Sequence, residues 1–98
     1  MSAVHVVNDD KLFKSWIDSH PEGFVLNANK KPSVKYLMLH TARCPQWRTG
    51  LPMTTTTYSK VVGPTVDSLR DWMAAQGFPR NLRIVNGEGC NCLKHASL

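Results

Sequence analysis

Apolar positions along the chain follow two spacings. In "NDDKLFKSWIDSHP", residues 8–21, Leu12, Phe13, Trp16 and Ile17 recur at helical intervals and form one stripe on an otherwise polar circumference. Asn8 or Asp9 can cap this helix, acidic residues in its first turn suit the positive end of the dipole, and Pro21 ends it. A second stripe, Val66, Leu69, Trp72 and Met73, has clearer bounds. Gly63 and Pro64 break the preceding segment, Thr65 can cap, Asp67 falls in the first turn, and Gly77 supplies a left-handed stop before Phe78 and Pro79.

The remaining apolar segments have strand character. "GFVLNAN" and "VKYLMLHTA" flank the polar turn "NANKKPS", which predicts a hairpin with a long connection, and Lys30 and Lys31 read there as a charged turn. In "TYSKVVG" the alternation puts Tyr58, Lys60 and Val62 on one face and Ser59 and Val61 on the other. "SAVHVV" is either a short strand or a loose terminal arm, and "NLRIVNGEGCNC" predicts a short last strand with an Asn-Gly turn at Asn86 and Gly87. Residues 43–54, with two prolines, a glycine and Trp47, predict an irregular segment. Strands interrupted by only two helices predict an α+β fold, a small and largely antiparallel sheet with two helices on one face, in a single domain spanning residues 1–98. There is no internal repeat and no long linker.

Length sharpens this picture. A chain of 98 residues buries only about two thirds of the surface its unfolded form exposes, so one core must supply nearly all the stability. The start of the sequence carries no basic leader, and no run of about 18 apolar residues occurs, so a cytoplasmic protein without membrane contact is expected. Three cysteines without a secretion signal argue against a disulfide framework and for thiols that are free, buried or metal-bound. Charge is segregated: residues 1–22 carry a net of −2, and residues 23–98 carry +7. With an isoelectric point near 9.4, such a body attracts phosphates or an acidic partner.

The cysteines gather beside histidines. His40 and Cys44, at the expected end of a strand, form one candidate pair of metal ligands, and Cys90, Cys92 and His95 offer the second. Zinc takes four such donors in a tetrahedron, usually as two local pairs from separate parts of the chain. The customary gap of two residues is met by Cys92 and His95, whereas Cys90 and Cys92 stand one residue apart. Cys44 as a nucleophile activated by His40 lacks a neighbouring acid to orient the imidazole, and Cys90 with Cys92 lacks the spacing of a redox pair. Arg43 and Arg48 flank Trp47, and Lys60, Arg80 and Arg83 follow; an exposed aromatic among such cations stacks a base while they hold phosphates. Otherwise Trp47 closes one edge of the core.

"WIDSHPEGFVLN", "YLMLHTARC", "YSKVVG" ahead of a helix with a tryptophan, and a close pair of cysteines together resemble a small, poorly characterised bacterial domain. That domain occurs alone and beside restriction-type nuclease modules. The resemblance implies that His40 and Cys44 match its His and Cys after the second strand, and that its terminal pair matches Cys90 and Cys92 or, by spacing, Cys92 and His95. The expected function is a non-catalytic binding module, zinc-stabilised if the two ligand pairs meet, that contacts nucleic acid as a restriction or defence accessory. The alternatives are a protein-interaction accessory subunit with an acidic protein partner and, third, a cysteine-dependent enzyme.

Overall fold

The structure, a computed structural model, describes residues 3–50, 52–80 and the backbone of 85 and 86. Five strands form one sheet: β1 (Val4–Val6), β2 (Phe24–Asn29), β3 (Leu37–Thr41), β4 (Tyr58–Gly63) and β5 (Val85–Asn86). Their spatial order is β1-β4-β2-β3-β5. All neighbours run antiparallel except β3 and β5, which are parallel. The terminal segment is thus a strand, β1, paired to β4 with Val4 opposite Val62 and Val6 opposite Lys60.

Two helices complete the fold, α1 (Asp10–Ser19) and α2 (Val66–Ala75). Asp9 is the cap of α1, its carboxylate accepting from the Leu12 N–H at 3.0 Å, while Asn8 takes the left-handed conformation, φ 52°, that turns the chain out of β1. Thr65 caps α2 in a reciprocal box with Ser68, and Gly77, at φ 86°, ends it. Both caps and the stop of α2 fall where the sequence puts them.

The α+β class and the small, largely antiparallel sheet hold, but the two helices do not share a face. Phe13 and Ile17 of α1 pack with Val6, Val25 and Val62, together with Ala42, Cys44 and Trp47 from beyond β3. Leu69 and Met73 of α2 pack with Phe24, Leu26, Ala28, Leu37, Leu39 and Val61. Neighbouring residues of a strand point to opposite faces, so Val25 and Leu26, or Val62 and Val61, belong to different cores. The sheet is the middle layer, with α1 on one side and α2 on the other. Burying side chains such as Phe13 and Leu69 completely contributes about 2–3 kcal/mol each, so each helix is held by its own share of the core.

Residues 45–48 after β3 coil into a single 3₁₀ turn, with Pro45 at its start. This turn brings Trp47 back over the end of the sheet on the α1 side. It closes the end of that face at which β3 finishes.

Candidate functional site

On the α1 face, the interior changes from apolar to polar along β4. Val62 belongs to the core, but Lys60, two residues earlier on the same face, is a lysine only 3 % exposed. Its ammonium donates to Asn27 Oδ1 at 2.8 Å, from the strand alongside, and to the Met53 carbonyl at 2.7 Å. It also lies 5.5 Å from the centre of the Trp47 ring. Burial, opposed by the nearby Asp10 charge, pushes the Lys60 amine down to about 8.

Asp10, in the first turn of α1, closes the network. Its carboxylate accepts from the Met53 N–H at 3.2 Å and from both the N–H and the hydroxyl of Thr54 at 2.6 Å. Burial works to raise this carboxyl; the Thr54 and Met53 hydrogen bonds and the Lys60 charge outweigh it and hold the carboxyl below its ordinary range. Thr54 is fully buried and also serves the corner ahead of α1: its hydroxyl accepts from the Asp9 N–H at 2.8 Å, and its carbonyl from the Asn8 N–H at 2.8 Å.

His40 and Cys44 come together beside this network, as their spacing predicts. Both are buried, and His40 Nδ1 lies 3.6 Å from Cys44 Sγ. Burial first, then the Lys60 charge, lowers the His40 imidazole below its ordinary value, so it is neutral at neutral pH. Cys44 is disulfide-bonded, which corrects the expectation of free, buried or metal-bound thiols: an odd number of cysteines does not prevent one pair from oxidising. Cys90, Cys92 and His95, the expected remaining ligands, lie outside the described residues. Among the described residues no group of three His, Cys, Asp or Glu side chains is placed to hold a metal ion.

Two of the residues expected at a nucleic-acid surface are interior. Trp47 is 3 % exposed, donates its indole N–H to the Thr41 carbonyl at 2.9 Å, and meets the rings of Phe13 and His40 edge to face. It closes one end of the core, and Lys60 lies under it. Arg43, Arg48 and Arg80 are exposed, but each meets a carboxylate: Glu22 at 2.5 Å, Asp18 at 3.1 Å, and Asp71. Arg83 lies outside the described residues.

A different set of cations is exposed at the opposite end of the sheet. Lys30, Lys31 and Lys35 occupy the β2–β3 connection, and no carboxylate among the described residues pairs with them. Hydrogen bonding fixes this connection, with the Lys30 N–H donating to the Thr57 carbonyl at 2.8 Å and the Tyr36 N–H to the Ser33 carbonyl at 3.4 Å. Beside it, the rings of Tyr36 and Tyr58 meet at 5.3 Å between centres. Tyr58 stands opposite Asn29 and is 39 % exposed; the Tyr36 hydroxyl accepts from Asn27 Nδ2 at 2.9 Å. The sequence pattern contained a signal for this set, three lysines within six residues followed at once by Tyr36, but local composition does not reveal which cations find carboxylates.

Compared with protein-family models, curated proteins and solved structures, the chain matches none of them. No helix among the described residues is long and apolar enough to cross a membrane.

Proposed function

We propose that this chain is a small, non-catalytic binding module that takes nucleic acid at the end of its sheet formed by the β2–β3 connection. The observation that carries this is the run of Lys30, Lys31 and Lys35, without a carboxylate partner among the described residues, next to the tyrosine pair. Cations with no internal counter-charge give their full attraction to phosphate and release its condensed counterions on contact. Arg43, Arg48 and Arg80 share theirs with Glu22, Asp18 and Asp71, so the lysines rather than these arginines carry the phosphate contacts. The non-catalytic character rests on burial. Lys60, His40 and Cys44 have the chemistry of catalysts, but all three are closed inside the core and engaged by neighbours.

An accessory role beside a restriction or defence nuclease, supported by the resemblance of the sequence motifs, belongs to the same proposal, and a cytoplasmic location is proposed with it. Fluorescence anisotropy with a labelled oligonucleotide tests it. Binding at low salt should weaken steeply as salt rises, and replacing Lys30, Lys31 and Lys35 together by Glu should remove about two to three units from the log–log slope, close to one for each phosphate no longer neutralised. Absence of binding by the unaltered protein at low salt removes nucleic acid as the partner. If a pull-down then recovers one stoichiometric protein, the accessory-subunit alternative takes its place.

Zinc has a specific support of its own, the approach of His40 Nδ1 to Cys44 Sγ at 3.6 Å. The sulfur ligates a metal only as a thiolate, so the disulfide must first be reduced. Elemental analysis of protein purified in reductant, with zinc supplied and without a histidine tag, should give about one zinc per chain. A metal-free protein under those conditions means that packing alone brings His40 and Cys44 together and the pair does not bind zinc.

A further inference from the structure

Two side chains at the proposed site differ in what they have left to offer. The Tyr36 hydroxyl is taken by Asn27, and one side of its ring is covered by Tyr58. Tyr58 is the exposed member of the pair, held against Tyr36 at 5.3 Å with the rings inclined by 38°. At 39 % exposure Tyr58 remains partly open to solvent, on the face of β4 that also carries Lys60 and Val62. Lys30 is tied by its backbone to Thr57, immediately before Tyr58, and Lys35 immediately precedes Tyr36, so cations bracket the aromatic pair along both strands.

We infer, resting on the nucleic-acid reading above, that the ligand is single-stranded, with one unpaired base stacked on Tyr58 and its flanking phosphates on Lys30, Lys31 and Lys35. A duplex buries its base faces within its own stack and presents only edges and backbone to a protein, so an exposed ring on a sheet gains nothing from it. A single strand offers the π-face of each base, whatever the sequence, and stacking adds to the phosphate contacts. Asn27 plays the part of a positioning residue: through its hydrogen bond to Tyr36 and its acceptance from Lys60, it anchors the ring on which Tyr58 leans to the buried polar network.

The test compares three labelled probes of about ten nucleotides: a single strand, the same strand annealed to its complement, and an abasic strand of equal length. Anisotropy at one low salt concentration should rank the single strand at least about 10-fold tighter than either of the others, a difference a single stacked base provides. Tyr58→Leu should bring the single strand to the abasic level without changing the affinity for the abasic strand, and Tyr58→Phe should retain tight binding. Equal affinity of the unaltered protein for all three probes overturns stacking and leaves nucleic-acid binding through the lysines standing. Absence of binding to every probe overturns both.

Discussion

Lys60 is the residue whose behaviour differs most from what its type suggests. A surface lysine contributes little to stability at any pH below its ordinary value of 10.5, whereas this one is buried under Trp47 and pushed down to about 8. Its folded form releases a proton near pH 8 and the unfolded chain holds it until about 10.5, so between those values the unfolded state binds more protons and stability gains with rising pH. Below pH 8 the cost of burying the charge is fully present. Urea unfolding of the protein and of Lys60→Met across this range isolates the effect from other titrating groups. The stability difference between the two should move in favour of the unaltered protein as pH rises from 8 to 10.5; a constant difference would mean that the amine keeps its ordinary proton affinity. The sequence points Lys60 toward a nucleic-acid surface because its partners, Asn27, Met53 and Asp10, are not its close neighbours along the chain and give no local sign of a buried polar cluster.

At the scale of elements, the positions of both helices were legible and their placement was not. The stripes, the capping residues and Gly77 mark where α1 and α2 run, since these signals are local. Which face each helix covers depends on the sheet between them. The clue was present in β2 and β4, where Phe24-Val25-Leu26 and Val61-Val62 are consecutive buried residues rather than an alternation, and a strand buried on both faces has this form. The junction of β4 and α2 has no room for a side chain: a Cβ on Gly63 would overlap the Ser68 hydroxyl, which is committed to the capping box of α2. Gly63→Ala should therefore cost about 1–3 kcal/mol in a urea titration, through crowding and loss of the cap. Because the clash and the cap share Ser68, adding Ser68→Ala should cost less than the sum of the separate effects. A Gly63→Ala protein within about 0.5 kcal/mol of the original would contradict this packing.

For the whole molecule, the distribution of charge matters more than its total. The net charge of +5 is visible in composition, but which cations are available depends on which acids the fold brings near them. The end of α1 and the residues after it carry Asp18 and Glu22 to the arginines beyond β3, Asp71 of α2 meets Arg80, and the lysines of the β2–β3 connection receive no such neighbour among the described residues. The arginine-flanked tryptophan that suggested a binding loop is instead the plug of the α1 core, and the turn that read as merely charged is the open basic surface. The pairing of His40 with Cys44 was readable because four residues across a strand end can bring two side chains together; oxidation of the cysteine was not, since it depends on a second sulfur distant in sequence. The central claim is the location of the surface, and backbone amide chemical-shift mapping with a single-stranded oligonucleotide tests it most directly. The amides of Lys30 to Tyr36, together with Thr57 and Tyr58, should shift on titration, while those of Arg43 to Thr49 stay in place; shifts confined to Arg43–Thr49 or to the Asp71–Arg80 corner would contradict it.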